Sequence, residues 1–357
     1  MKLALIRRKF DEGGGAELYA QRLISALTDS GHEVHLFAES WTSTPGGVRL
    51  HRIESGGTRS TRARKFANAV RAELISLRFD CVFSLERTIR QDVYRAGDGV
   101  HRIWLERRRQ ASPWWKRWLI GRGLFHRGLL VLERETFDPS TTGRVIVNSE
   151  MVRREIRQCF DFPDDRIHLV RNGVCVERFQ NLDRRAARAR FGISDSAFVL
   201  VFAGSGWERK GLAYAIETAR RLQSSNVKLL VAGKGTPPSN TPENVLFAGP
   251  MRDVEMAYGA GDLLLCLPLY EPSANVVCEA LAAGLPVVTC VQNGASEWIK
   301  EGETGSVVKN PADISAVTAA IEPWISGSRK KVSLDLDELR IERNMRETLE
   351  ILSLGRD

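Results

Sequence analysis

Asp262-Leu-Leu-Leu-Cys-Leu-Pro-Leu-Tyr270, continuing into Glu271-Pro-Ser-Ala-Asn-Val-Val-Cys-Glu279 and Ala280-Leu-Ala-Ala-Gly284, is the stretch that decides the fold. Its first part is an unbroken apolar run of strand length, and its last part is a helical pattern stopped by glycine. Glu271 therefore lies on the turn that leaves a buried strand. Pro272 restricts the chain, and Ser273 is a suitable N-cap. The backbone N–H groups of Ala274, Asn275 and Val276 are then expected to point out of the helix N-terminus, where the dipole favours an anion. Glu279 follows about two turns into the helix. A carboxylate at the mouth, another deeper in and an anion site between them suit a ligand with a hydroxylated sugar at each end and phosphates in the middle, which describes a nucleotide sugar.

Other stretches extend this α/β reading in both directions. Phe198-Val-Leu-Val-Phe-Ala203 reads as a strand, Gly204-Ser-Gly206 as a glycine turn and 211–223 as a helix, with further strands at 227–232, 245–247 and 286–289. The N-terminal half opens in the same way. Its strand is 2–6, its loop Arg7 to Gly15, its helix 16–30, and its next strands 32–38, 48–53, 81–84, 144–148 and 167–170. Ser149 is placed to cap the helix that follows. At 357 residues the chain is too long for one ordinary core. Two doubly wound Rossmann-like units are therefore expected, 1–172 and 173–330, with ligands bound at the carboxyl ends of their sheets. The stretch 331–357 reads as a charged amphipathic helix.

Composition narrows the class. The cysteines at 81, 159, 175, 266, 278 and 290 form no CxxC pair, and they read as reduced, buried thiols of a cytoplasmic protein. Leu3-Ala-Leu-Ile6 is too short for a secretory segment and runs into Arg7-Arg8-Lys9. The single Asp-x-Asp spacing, Asp335-Leu-Asp337, lies in the charged C-terminal stretch and reads as a solvated face, so no metal and no cofactor are expected. A departing diphosphate then has to be met by fixed cations. Arg209-Lys210, after the glycine turn of 204–206, supply a planar fork and a point charge. A basic pair in a loop is ordinarily just solvated, and by itself the placement at a strand end leaves that reading open beside phosphate binding. Gly13-Gly14-Gly15, at the first strand–helix turn, would let backbone approach a ligand closely, or would simply make a tight turn.

The block from 199 to 308, with Glu271 and Glu279 in the E-x7-E spacing and Arg209-Lys210-Gly211 after a glycine turn, resembles the donor-binding half of the retaining glycosyltransferases of family 4 (GT4), which have the GT-B fold. That resemblance implies an acceptor-binding first unit, a nucleotide-sugar-binding second unit and a C-terminal helix, 331–357, that crosses back to the first unit. It gives Glu279 the ribose, Glu271 the hexose and Arg209 and Lys210 the phosphates, and it sets Gly13, Gly14 and Gly15 against the donor. Retention without an evident nucleophile implies same-face displacement, in which the leaving phosphate takes the acceptor proton. Residues 91–137 resemble the lipopolysaccharide-core glucosyltransferases of the family. There Asp98, and alternatively His101, would hold the acceptor; a plain turn aspartate beside glycines is the competing reading. The resemblance implies UDP-glucose or a related UDP-hexose as donor and a lipid-linked core saccharide as acceptor, while a soluble acceptor keeps the same fold.

Residues 101–130 carry Trp104, Trp114, Trp115 and Trp118, half of the chain's eight tryptophans. Interleaved with them are Arg107, Arg108, Arg109, Lys116 and Arg117. Rings at the interface and cations on lipid phosphates suit an anionic membrane surface, which would put the protein peripherally on the cytoplasmic face of the inner membrane. Two alternatives are a loop packed on its own domain and a nucleic-acid-binding surface. No nucleic-acid motif accompanies the segment, so nucleic acid is not expected as a partner.

Overall fold

The computed structural model describes residues 1–9, 15–41, 46–327, 332 and 334–354, with the side chains of 15–18 excepted. The chain divides into two compact units, Met1–Arg171 with Asn344–Asp357, and Asn172–Arg343. Among the described residues the first unit holds strands β1 (Lys2–Ile6), β2 (Glu33–Ala38), β3 (Val48–Arg52), β4 (Cys81–Ser84), β5 (Gln91–Arg95), β6 (Thr142–Val147) and β7 (Ile167–Leu169). All pair parallel, in the order β3-β2-β1-β4-β5-β6-β7. Around them run helices α1 (Gly15–Asp29), α2 (Arg62–Ile75), α3 (His101–Gln110), α4 (Trp114–Arg117), α5 (Leu124–Thr136) and α6 (Glu150–Cys159). Ser149 caps α6, its hydroxyl accepting from the Val152 amide at 3.3 Å.

The second unit holds β8 (Phe198–Ala203), β9 (Val227–Ala232), β10 (Val245–Gly249), β11 (Leu263–Cys266), β12 (Val287–Cys290) and β13 (Gly305–Val308). These too are parallel, in the order β10-β9-β8-β11-β12-β13. Its helices are α7 (Arg184–Arg190), α8 (Trp207–Lys210), α9 (Leu212–Arg221), α10 (Glu255–Ala260), α11 (Asn275–Ala282) and α12 (Ile314–Ser326); α13 (Ile341–Ser353) starts here and from Asn344 belongs to the first unit. Every residue of β8, β11 and β12 is buried. Their uninterrupted apolar sequence is what a parallel strand covered on both faces requires. One core lies on each side of this sheet: Val201, Leu264 and Leu281 belong to one, and Leu200, Leu265 and Ile216 to the other.

The structure adds two strands that the sequence reading left out, β5 and β13, and moves two of its boundaries. β5 reads polar, yet it is interior because its polar groups are satisfied across the sheet. Gln91 donates to the Thr142 hydroxyl at 2.5 Å and accepts from Thr88 at 2.9 Å, and Asp92 accepts from the Val82 amide at 2.7 Å. β13 is only four residues long and opens on glycine, so it looks like loop in sequence. The C-terminal helix is Ile341–Ser353 rather than 331–357. Residue 172 goes with the second unit because its side chain donates to Ser273 and Asn275 there, while Asn344 of α13 donates to the Arg171 carbonyl at 2.7 Å.

Asp262, at the foot of β11, organises the second unit. It takes Arg188, whose side chain is 1% exposed, and Arg184, each at 2.7 Å, and it accepts from the Val199 amide at 2.8 Å. Removing one partner from a buried pair leaves an uncompensated charge. Asp262→Ala should therefore lower stability by about 3–5 kcal/mol in denaturant unfolding. Arg190→Ala, which breaks an exposed pair with Asp253, should leave the midpoint nearly unchanged.

Candidate active site

β8 and β11 are neighbours, and strand order reverses between them, so their carboxyl ends form the crevice where open parallel sheets bind ligands. From β8 the chain passes through Gly204-Ser-Gly206 into α8. Gly204 has φ +118°, and a Cβ there would lie 2.6 Å from Lys210 Nζ; glycine lets the ammonium rest on the strand end. Gly211, at φ +76°, would put a Cβ 1.8 Å from the Leu267 carbonyl oxygen, so no side chain fits. The Leu269 amide donates to the Arg209 carbonyl at 2.8 Å. The segment after β8 is thus strapped to the segment after β11, and Arg209 and Lys210 sit on a helical turn rather than in the expected loop. Arg209 Nη1 donates to Glu271 Oε2 at 2.6 Å. Lys210 is half-buried and has no carboxylate within 4.0 Å among the described residues.

The turn leaving β11 is built differently from expectation. Ser273 does not cap α11: the cap position is Ala274, and the capping side chain is Asn293. Asn293 is fully buried. Its Oδ1 accepts from the amides of Ala274 and Ala295, both at 3.1 Å, and its Nδ2 donates to the Thr289 hydroxyl at 3.0 Å. The Ala274 amide is therefore not offered to an anion; Asn275 and Val276 keep theirs. On the other side of the turn Asn172 Nδ2 donates to the Ser273 carbonyl at 3.1 Å and to Asn275 Oδ1 at 2.8 Å. Ser273 Oγ is buried and has no hydrogen-bond partner among the described residues. Asn293 and Asn172 escaped the sequence reading because they lie about 20 and 100 residues away. Their one signal was Asn-Gly, legible only as a turn.

Glu279 lies on α11 beneath this turn, and its Oε2 accepts from the Tyr258 hydroxyl at 2.6 Å. Burial pushes its pKa up, and the Tyr258 hydrogen bond with the charges of Lys210 and Arg178 draws it back only in part. The charges of Lys210, Glu271 and Arg209 all reach the Cys266 thiol, so these groups gather at one end of the sheet. Burial pushes the Cys266 and Cys278 thiols up to about 12, so both stay protonated. All six cysteines are free thiols; four are buried, while Cys159 and Cys175 are half-buried, contrary to the expected burial. Among the described residues no three His, Cys, Asp or Glu side chains cluster so as to hold a metal ion. Asp335 instead accepts from the Asp337 amide, and Asp337 pairs with Arg340.

Comparison with known proteins identifies the family and the fold. The family model described as Glycosyltransferase Family 4 matches residues 13–178, and that described as Glycosyl transferases group 1 matches 197–326. The chain belongs to glycosyltransferase family 4. Among curated relatives it is 26% identical over 329 residues to lipopolysaccharide glucosyltransferase WaaG of Escherichia coli (strain K12), covering 87% of this chain and 86% of that protein. The crystal structure of WaaG, a glycosyltransferase involved in lipopolysaccharide biosynthesis, superposes with TM-score 0.81 at 22% identity, covering 99% and 100% of the two chains. Anabaena Alr3699/HepE in complex with UDP-glucose superposes with TM-score 0.74 at 15% identity, again covering 99% and 100%. The fold is GT-B.

In the first unit of this glycosyltransferase, Gly13 and Gly14 lie outside the described residues, and Gly15 opens α1. Asp98 is exposed on the turn after β5. His101 is less suited to hold an acceptor: its Nε2 shares a hydrogen bond with His126 Nδ1 at 3.0 Å, and burial with the nearby Arg87 holds its pKa down to about 3. Glu86, which sequence reasoning missed, follows β4 and meets the segment after β1, pairing with Arg7 at 3.4 Å and accepting from the Arg8 amide at 3.3 Å. Its pKa is raised by burial, and Asp98 adds to the rise.

Residues 101–130 form helices α3 and α4 and the start of α5, not a packed loop. Trp114, Trp115 and Trp118 are 81%, 53% and 59% exposed, and Lys116 and Arg117 are exposed beside them. Trp104, Arg107, Arg108 and Arg109 are instead half-buried, and Arg109 donates to the Ile120 carbonyl at 3.2 Å. No helix among the described residues is long and apolar enough to cross a membrane.

The raised pKa of Glu279 has a measurable consequence. A carboxyl whose pKa rises on folding contributes most to stability when protonated and destabilises the fold as pH climbs through its folded pKa. Glu279→Gln should therefore raise Tm at neutral pH, and the gain should shrink as pH falls into the ordinary carboxylate range. A lower Tm across the whole range would contradict this electrostatic picture.

Proposed function

We propose that this glycosyltransferase moves glucose from UDP-glucose, with retention of configuration, onto a saccharide of a lipid-linked core such as lipopolysaccharide. It does so without a divalent ion, while bound peripherally at the cytoplasmic face of the inner membrane. The observation that carries this reading is the half-buried Lys210 ammonium, without a carboxylate partner among the described residues and next to Arg209, at the strand ends from which α11 departs. That is where a leaving diphosphate needs positive charge. Lys210, the Arg209 fork and the amides of Asn275 and Val276 supply it without reorganising. The bond from the sugar C1 to the phosphate oxygen breaks, the acceptor oxygen bonds C1 on the same face, and the acceptor proton passes to the departing phosphate oxygen. Glu279 holds the ribose, Glu271 the hexose hydroxyls, and Asp98 the acceptor. The donor is supported by the solved HepE complex with UDP-glucose and the acceptor by the name of the E. coli relative.

Transfer of labelled glucose from UDP-glucose to extracted lipopolysaccharide core should persist in EDTA, and Lys210→Ala should lower it by roughly a hundredfold or more. Strict dependence on added Mg²⁺ would sink the metal-free assignment, and equal transfer to a free sugar would sink the lipid-linked acceptor. The exposed tryptophans and cations of α4 support the membrane surface. The protein should bind vesicles containing anionic lipid and ignore purely zwitterionic ones. Each cation near the surface contributes about 1 kcal/mol, so added salt should release it. Joint replacement of Trp114, Trp115 and Trp118 by Ser should reduce binding in a less salt-sensitive way. Binding to neutral vesicles alone would return the segment to another role.

A further inference from the structure

Tyr258 comes from α10, outside the E-x7-E segment and 21 residues before Glu279 in the chain. It is 1% exposed and set edge-to-face on Phe179, ring centroids 5.6 Å apart. α10 itself cannot drift: the Arg188 Nε donates to the Ala260 carbonyl at 3.2 Å, and Arg184 Nη1 donates to the Gly261 carbonyl at 2.9 Å, both from α7. The phenol is thus a fixed donor, and its hydroxyl meets Glu279 Oε2 at 2.6 Å. The other carboxylate oxygen, Oε1, has no partner among the described residues. A carboxylate on a flexible side chain would ordinarily lose rotamer freedom on binding a diol. One already held by a rigid hydrogen bond loses little.

We propose that Tyr258 is a positioning residue for donor recognition: by holding one oxygen of Glu279 it aims the other at the ribose hydroxyls of the nucleotide. This rests on the assignment of Glu279 to the ribose made above. Burial pushes the tyrosine pKa far above its ordinary value and the Glu279 pKa up, so at neutral pH the phenol keeps its proton and donates it to the carboxylate. Lys210, Arg178, Glu255 and the Cys278 thiol are the other titratable groups whose charge reaches Glu279, and none of them makes a hydrogen bond to it.

The test compares UDP with 2′-deoxy- and 3′-deoxy-UDP by calorimetry on the full chain, in the wild type, Tyr258→Phe and Glu279→Ala. The wild type should prefer UDP by roughly tenfold or more, the worth of a hydrogen bond to a charged group. Glu279→Ala should erase that preference. Tyr258→Phe, which removes one oxygen and keeps the ring on Phe179, should lose most of the preference while leaving affinity for the deoxy nucleotides unchanged. If Glu279→Ala erases the preference and Tyr258→Phe keeps it, the positioning role is overturned and the ribose assignment stands. If Glu279→Ala keeps it, the ribose assignment falls and the positioning role with it. Equal weakening of all three nucleotides by Tyr258→Phe would mean that the hydroxyl only supports the fold, which also overturns the proposal.

Discussion

Parallel pairing of β8 with β11 is the constraint on which the second unit depends. Leu263 pairs with Leu200 and Leu264 with Val201, although 63 residues separate each pair. Both strands are apolar along their whole length and can only be buried, so each must lie inside a sheet covered on both faces. Once they are side by side, their carboxyl ends open at the same edge. The peptides that follow can then reach each other: Arg209 and Glu271 form an ion pair, and Leu269 bonds back to Arg209. Asp262 fixes the opposite end of β11 through two arginines and the Val199 amide, so the register of the strands and the spacing of the loops are set together.

The same device occurs in the first unit. β1 and β4 are neighbours where strand order reverses, and an arginine after one strand meets a glutamate after the other, Arg7 with Glu86. In both units a partly buried carboxylate is held by a cation from a segment that is distant in sequence. A charge kept out of water needs such a partner, or its protonation equilibrium shifts. Glu279 sits at the other extreme. It has a neutral donor, Tyr258, and only distant cations, and its raised pKa marks it as a group held against the preference of the fold. Groups of that kind concentrate where ligands bind, because a ligand can supply what the fold does not.

The basic segment follows a different logic. Its root is anchored by Glu133, a buried carboxylate that accepts from the amides of His101 and Arg102 at 2.6 and 3.1 Å and pairs with Arg87 at 3.2 Å. Those bonds satisfy the N-terminus of α3, where unpaired amides and the helix dipole favour a negative group. Beyond the root, α4 has no buried residue. Large rings left in water at the end of a firmly anchored arm make an exposed apolar patch, and such patches mark contact surfaces.

Much of the architecture could be read directly from the chain. Apolar runs at 198–203, 227–232 and 262–267 have no other stable use than buried parallel strands, and the glycines after α1, α7, α10 and α11 (Gly31, Gly192, Gly261 and Gly284) mark ways back to the sheet. Glu271, Glu279, Arg209 and Lys210 stood out because they sit at strand ends and helix starts that local pattern reveals. What local pattern could not reveal was anything that depends on residues meeting across the sheet. β5 looked polar because its polar groups find their partners on β6 and at the foot of β4. Ser273 looked like the cap because it precedes the helix, whereas Asn293 takes that role from a distant turn that tertiary packing brings alongside. Tyr258 belonged to no local motif; only the fold brings its hydroxyl to Glu279. The sequence by itself determined the two parallel-sheet units and the kinds of charge at their edges, because periodicity and composition act over a few residues. Only the tertiary structure decided which donor meets which acceptor, because a hydrogen bond is made or lost within an ångström and its two ends come from opposite parts of the chain.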